Sequence, residues 1–427
     1  MSFLELPYQR EGCEWLVTHK RVGLADEQGL GKTVQLIMAA DAISAQRIVV
    51  VAPAKLRATW HRSFEEFGRT YAHRKLRVMS YEEATTVFAE VGTTKNVRMP
   101  DCIILDEAHY LKDWQSQRTQ AIYPNCGSDY VWPASGTPMP NDPSELWTHF
   151  YYLNHRLIPM DMNGPMTPAQ WMDKFCRLGK AYGGRRKVLG VKEPERLREL
   201  NRLLWKRRTL AQVMPQLPPM REGEITVEEA GYDSRINSIL ADMPRETYDR
   251  LLIDPTTLPV GDEQLSTLRK LLAAAKAPVL AEFVTEELTN NPTEKLVIFA
   301  WHKDAIDILK QQLKQFRPLV VDGRTNPNKV QAHVDAFQTQ DEHRVFIGQI
   351  KAAGTGLTLT AASNVIFLEC SWVPADNEQA QRRILRIGQK ATSVLCRYVV
   401  LKGSIDEAVT RTLRRKASII NKVMEHQ

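Results

Sequence analysis

The run Asp26-Glu27-Gln28-Gly29-Leu30-Gly31-Lys32-Thr33 has the composition and spacing of a loop that cradles phosphates. Glycines let backbone N–H groups turn toward an anion with no side chain in the way. Where such a loop opens a helix, the helix N-terminus adds partial positive charge. Lys32 is then the expected contact to the β- and γ-phosphates of a nucleoside triphosphate, and the Thr33 hydroxyl an expected ligand of Mg2+. Asp26 departs from the general pattern, which has glycine there. The competing reading is an incidental Gly-Lys-Thr turn.

Asp106-Glu107-Ala108-His109 follows directly on the apolar run Ile103-Ile104-Leu105. A carboxylate at a strand end can bind a divalent metal, and its neighbour can polarise a water. Asp106 is assigned to the metal and Glu107 to the water, as general base. The alternative is an acidic helix start that complements the helix dipole. It loses weight because the pair lies some seventy residues after the phosphate loop, each on its own strand end, where open α/β sheets bind ligands.

A third segment runs from Gln379 to Gln389 and contains Arg382, Arg383 and Arg386. On a helix, Arg383 and Arg386 share a face, and two guanidinium forks on one face can meet a triphosphate bidentately. A basic surface helix, or one that touches nucleic-acid phosphates, is the alternative.

The elements that must position these groups are visible as short apolar runs. Val22–Ala25, Ile48–Val51 and Cys102–Leu105 lie in the first half, and Leu296–Phe299, Leu319–Val321, Val345–Ile347 and Val365–Leu368 in the second. Such short Val/Ile-rich runs read as buried strands of parallel sheets. The stretches between them have helical spacing, as at Val34, Ile37 and Met38 or Ile306, Leu309 and Leu313. Strand–helix alternation twice over predicts an α/β protein with two lobes, each a parallel sheet flanked by helices. The expected first lobe is 1–222, including a largely helical, basic insertion at about 154–220 that stops at the Pro-rich run 215–219. The expected second lobe is 223–427.

Composition sets the class. The chain has 427 residues, 43% of them hydrophobic and 25% charged, as in proteins that bury sizeable cores. No run of eighteen apolar residues and no basic-then-apolar leader is present, so an intracellular location, cytoplasmic or nucleoid, with no membrane span is expected. The six cysteines have neither metal-ligand nor redox spacing. The net charge of +7 is uneven: 176–208 holds twelve Lys/Arg against three Glu, and 381–427 holds eleven against three acids. Two basic regions suit a polyanion, although solvated helix faces would look the same.

Together these segments resemble the Swi/Snf family of helicase-like DNA-dependent ATPases, within helicase superfamily two. The likeness covers nearly the whole chain. Leu6-Pro7-Tyr8-Gln9 resembles the family's adenine-reading glutamine motif, and the phosphate loop matches including Asp26. Val51-Ala52-Pro53, the acidic box at Asp106–His109 and Ser135-Gly136-Thr137-Pro138 follow in the family's order. So do Ala353–Thr360 and Arg383–Gln389, and the run from Arg207-Arg208 to Pro218-Pro219 is a further mark. Phe299-Ala300-Trp301-His302-Lys303 and Gly356–Ala362 point to the branch of the annealing helicases and their bacterial and viral relatives. The chain departs from the family at Ser135, at Thr209-Leu210 after the arginine pair, at Ser371 and at Leu385.

The resemblance implies two RecA-like lobes and ATP with Mg2+ as cofactors. ATP would be held by Gln9, Asp26, Gly29, Leu30, Gly31, Lys32, Thr33 and Gly356, with Arg383 and Arg386 as arginine fingers and Lys32, Asp106 and Glu107 in the chemistry. It also implies a DNA-stimulated ATPase that translocates on duplex or forked DNA without processive strand separation, remodelling or reannealing DNA or displacing bound protein. Lys55, Arg207, Arg208, His302, Lys303 and Thr358 are candidate DNA contacts. Trp60, Trp114 and Trp372 are expected to pack rather than stack on bases. With seven residues before Tyr8, targeting is expected to come from protein partners, and a monomer suffices for the cycle. A strand-separating helicase and a non-catalytic DNA-binding scaffold are the rival readings.

Overall fold

The computed structural model describes residues 6–68, 75–93, 99–161, 164–182, 185–228, 263–353, 357–386 and 388–424. They form two compact units: Met1–Met214 together with Ala417–Gln427, and Pro215–Lys416.

The first unit is built on a six-stranded, wholly parallel sheet. Its strands are β1 (Gly23–Leu24), β2 (Arg47–Ala52), β3 (Lys75–Ser80), β4 (Cys102–Asp106), β5 (Tyr130–Ala134) and, later in the chain, β10 (Trp205–Lys206). The order across the sheet is β10-β1-β5-β4-β2-β3. α1 (Pro7–His19) precedes β1, and the helices between strands include α2 (Lys32–Ala42), α3 (Arg57–Phe67), α4 (Tyr81–Thr93), α5 (Gln117–Ile122) and α6 (Leu146–Asn154). Ile103, Ile104 and Leu105 of β4 are wholly buried, as a central parallel strand covered on both faces requires.

The stretch 154–220, expected to be largely helical, is mixed. It carries α7 (Pro168–Phe175), α8 (Pro194–Leu204) and α9 (Leu210–Val213), but also two antiparallel pairs: β6 (Met160–Asp161) with β7 (Gly164–Pro165), and β8 (Cys176–Tyr182) with β9 (Arg185–Val191). The β8–β9 strands escape a periodicity reading because they are rich in Arg, Lys and Gly and lack apolar alternation.

The second unit has its own parallel six-stranded sheet. Its strands are β11 (Met220–Val227), β12 (Leu296–Ala300), β13 (Leu319–Val321), β14 (Val345–Gln349), β15 (Asn364–Phe367) and β16 (Val394–Leu401). They lie in the order β11-β16-β15-β12-β14-β13. Alternation along β12 splits its core in two. Leu296, Ile298 and Ala300 pack on one side with α10 (Glu263–Asn290) and α11 (Lys303–Gln312), while Val297 and Phe299 pack on the other with α12 (Pro327–Thr339). The short helices α13 (Ile350–Ala353) and α14 (Pro374–Gln381) and the long α15 (Ile405–Met424) complete it.

The units divide between Met214 and Pro215, ahead of the expected 222, because β11 already belongs to the second sheet. The last turns of α15 return to the first unit: Ile419, Ile420, Val423 and Met424 join its core, and the Lys422 carbonyl accepts from the Arg198 guanidinium of α8 at 3.2 and 2.8 Å.

Candidate active site

The site of the first unit lies at the C-terminal ends of β1 and β4, where parallel strands leave space for ligands. The phosphate loop leaves β1 and enters α2 with Gly29 at φ 92° and Gly31 at φ 66°, a left-handed backbone that glycine adopts without a clash. Gly31 is also where the Gln9 side chain approaches: a Cβ there would meet Gln9 Nε2 at 2.6 Å. The adenine-reading candidate and the loop are thus adjacent. Gln9 Oε1 also accepts from the Leu6 N–H at 3.2 Å, which fixes the side chain at the helix start.

Lys32 donates from Nζ to the carbonyls of Asp26 (2.7 Å) and Glu27 (3.3 Å), so the ammonium closes its own loop. Burial pushes its pKa down, against the pull of Glu107, Asp26 and Asp106, and Arg207 adds to the fall. Gly136, of the Ser135–Pro138 segment, sits within reach: a Cβ on it would lie 3.6 Å from Lys32 Nζ.

Asp106 ends β4. Its Oδ2 accepts from Trp60 Nε1 at 2.8 Å, its Oδ1 from the Glu107 N–H at 3.0 Å, and its carbonyl from the Tyr81 hydroxyl at 2.7 Å. Burial, and next the Glu107 charge, raise its pKa to about 6. Glu107 sits at φ 53°, a strained position for a residue with a side chain and one concentrated at functional sites. Its Oε2 lies 3.3 Å from His109 Nδ1, which in turn lies 3.1 Å from Ser135 Oγ. Ser135 Oγ accepts from the Thr137 N–H at 3.2 Å. The acidic box is therefore linked through His109 to the segment beside Lys32.

A divalent metal fits these residues. A buried carboxylate with a raised pKa gains from a cation in place of a proton, and one carboxylate plus one hydroxyl suits Mg2+, which keeps waters and takes phosphate oxygens. Asp106 and Thr33 would hold it. Among the described residues no cluster of three or more His, Cys, Asp or Glu forms a cage.

The expected DNA contacts Arg207 and Arg208 are turned inward. Arg208 makes a bidentate pair with Asp26 (Nε to Oδ1 and Nη2 to Oδ2, both 3.0 Å), while Arg207 donates to the carbonyls of Ala25 and Gly136, each at 3.0 Å. Buried Asp26 needs a fixed cation, and the β10 chain running beside β1 delivers it. Sequence reading missed this pairing, together with the roles of Gln35, Trp60 and Tyr81. Trp60 packs, as expected, but also orients Asp106.

In the second unit Arg383 is buried and Arg386 half-buried, with Arg386 Nη1 donating to Thr358 Oγ1 at 2.9 Å. Burial lowers the Arg386 pKa. The two arginines do not share an α-helix. α14 ends at Gln381, the next turns tighten, and the Arg383 carbonyl accepts from the Leu359 N–H at 2.9 Å. His302 is held by Glu369: Nδ1 lies 2.6 Å from Oε1, and the other carboxylate oxygen accepts from the N–H groups of Trp301 and His302 at 2.9 Å each. Burial works against the Glu369 carboxylate, but its hydrogen bonds with His302 and Trp301 prevail and hold the carboxyl below its usual range. Lys55 and Lys303 are exposed. Trp114, expected to pack, is exposed and meets Trp147 edge-on at 6.1 Å, whereas Trp372 stacks under the Arg269 guanidinium at 4.6 Å. Gly356 lies outside the described residues.

Comparison with known proteins identifies the family. The family model described as SNF2-related domain matches residues 8–97 and 86–235, and that described as Helicase conserved C-terminal domain matches 276–388. A Caenorhabditis elegans protein named SWI/SNF-related matrix-associated actin-dependent regulator of chromatin subfamily A-like protein 1 homolog is 28% identical, over 98% of this chain and 61% of its own length. The Bos taurus protein named DNA annealing helicase and endonuclease ZRANB3 is 29% identical, over 97% of this chain and 40% of its own. The chain thus spans about two fifths to three fifths of the length of these relatives. A solved Sulfolobus solfataricus SWI2/SNF2 ATPase core in complex with dsDNA is 18% identical with a TM-score of 0.42, covering 99% of this chain and 97% of that one. With both family models matched in sequence order and two parallel-sheet units in place, the chain belongs to the SNF2-related family of helicase-like proteins.

Proposed function

We propose that the chain is an ATP hydrolase driven by DNA, a motor that moves along duplex or forked DNA without processive strand separation. The observation that carries this reading is the convergence of Lys32, Asp106 and Glu107 at the ends of β1 and β4, which flank β5, close enough for all three charges to act on one another. The backbone of Gly29, Leu30 and Gly31 turns toward the phosphates and Gln9 reads adenine. Lys32 leaves its two carbonyls for the β- and γ-phosphates. Mg2+, when bound, neutralises charge on the phosphate oxygens. Glu107 takes a proton from the attacking water as its oxygen bonds to the γ-phosphorus and the bond to ADP breaks. His109 lies against Glu107, Ser135 lies against His109, and the two sense that step. Arg383 and Arg386 supply further positive charge to the transition state.

The motor would remodel or reanneal DNA or displace bound protein. The two basic segments support a polyanionic track, with Lys55, Lys303, His302 and Thr358 as its contacts, while Arg207 and Arg208 are occupied elsewhere. Phosphate contacts of this kind grip without reading sequence. Protein partners would supply targeting, and one copy suffices for the cycle. Lys32→Ala and Glu107→Gln should abolish phosphate release from ATP while duplex binding persists. Turnover by either variant at the wild-type rate removes the assignment.

A further inference from the structure

Arg208 makes more contacts than a surface cation would. Its guanidinium grips Asp26 through two nitrogens at 3.0 Å, donates to Gln35 Oε1 at 3.0 Å and donates to the Tyr8 carbonyl. It also lies over the Tyr8 ring, 5.3 Å from its centre. Gln35 closes the network, donating to Asp26 Oδ2 (3.0 Å) and to the Leu30 carbonyl (3.2 Å). Asp26 is wholly buried and Arg208 9% exposed. The helix carrying Tyr8 and Gln9 approaches this close only because residue 12 is glycine: a Cβ there would fall 1.8 Å from Gln35 Oε1 and 2.7 Å from Arg208 Nη2. One guanidinium thus fixes three pieces of the nucleotide pocket: the adenine-side segment at Tyr8, the first residue of the phosphate loop, and the turn at Leu30.

Its neighbours repeat the pattern. Arg207 donates to Ala25 and Gly136, the Glu27 N–H donates to the Arg208 carbonyl at 2.9 Å, and Glu27 Oε2 accepts from the Leu210 N–H at 2.7 Å. These are the last residues before the first unit ends at Met214. The chain leaving the unit is therefore bonded to both acids that open the phosphate loop.

We propose that Arg208 is a positioning residue of the nucleotide site, setting the phosphate loop against the adenine-side helix and tying both to the segment that leaves the first unit. It does not touch the nucleotide. It acts through Asp26, Gln35 and Tyr8, so its loss shows in nucleotide affinity more than in the bond-breaking step. This rests on the reading of the first unit as an ATP site.

The test compares the whole wild-type chain with Arg208→Lys, which keeps the charge but loses the fork. A second variant, Asp26→Asn with Arg208→Gln, removes both charges together, so that no buried charge is left unpaired. The readouts are the Kd of a fluorescent ADP analogue, KM and kcat for ATP, and the unfolding midpoint without nucleotide. Arg208→Lys should raise Kd and KM about tenfold or more, with kcat within about threefold, as expected when charge-assisted hydrogen bonds are lost from a binding-competent geometry. The double variant should regain stability but not affinity, which a purely structural role would not produce. If Arg208→Lys does not fold, Gln35→Leu removes an acceptor and a Leu30 contact while leaving the ion pair, and should raise Kd in the same direction. Wild-type Kd in a folded Arg208→Lys or Gln35→Leu chain overturns the proposal, as does affinity that returns together with stability. A wild-type chain that binds no ADP analogue overturns the ATP-site reading itself, and this proposal with it.

Discussion

Asp106 shows how one residue's environment shifts its titration. Its folded pKa of about 6 stands above the ordinary carboxylate value because burial and the Glu107 charge penalise ionisation. For a group raised in this way, the stabilising contribution is complete below its unfolded pKa and is lost as pH climbs through about 6. The nucleotide-free protein should therefore lose stability from this source between pH 5 and pH 7, and Asp106→Asn should flatten that slope. MgADP should raise the unfolding midpoint more at pH 7 than at pH 5, because the cation replaces a proton already lost. Thermal melts across that range check both, and an equal MgADP shift at the two pH values would contradict the assignment. At this scale the sequence was legible where a motif is contiguous. Lys32 and Thr33 are neighbours in the chain, as are Asp106 and Glu107, and the Lys32, Asp106 and Glu107 charges act on one another. The Arg208–Asp26 pair spans 182 residues, and nothing local distinguishes such an arginine from one aimed at DNA.

Among the elements, the strands with unbroken Val/Ile runs were readable, since β2, β4, β12, β14 and β15 lie where those runs lie. The strands that escaped each carry a contrary signal. β5 contains Pro133, unusual for a central strand, and is accommodated because Val131 and Ser135 on either side donate to the Lys20 and Leu24 carbonyls. β3 and β11 sit at sheet edges and expose charged residues. β16 is interrupted by Arg397, whose Nη2 donates to both carboxylate oxygens of Glu287 at 2.8 and 2.9 Å. The return of α15 to the first unit was also out of reach, since amphipathic spacing says which face is buried but not against what. It carries a prediction. Val423 is wholly buried in the first unit's core, so Val423→Asp should destabilise that unit by several kcal/mol through an unpaired buried charge. Arg198→Ala, which removes hydrogen bonds to an exposed carbonyl, should cost about 1 kcal/mol. Differential scanning calorimetry measures both, and a Val423→Asp chain with the wild-type transition would contradict the packing described.

At the scale of the whole molecule, the candidate residues are divided between the two units. The phosphate loop, acidic box and adenine-side glutamine belong to the first, while Arg383 and Arg386 belong to the second. Arg383→Ala should leave ADP binding in place and lower ATP hydrolysis by a factor of about 10³ or more, the scale associated with an arginine finger. Near-normal hydrolysis in a variant with weakened DNA binding would move Arg383 to a DNA-contact role. The central claim is that DNA drives ATP turnover, and it is tested most directly by phosphate release with blunt duplex, forked duplex, single-stranded DNA, RNA or no polymer present. The account predicts strong stimulation by the duplex and forked DNAs, little by RNA, and falling stimulation as salt rises, since phosphate contacts carry the grip. Turnover that ignores DNA, or that responds to RNA as well as to duplex, would contradict it.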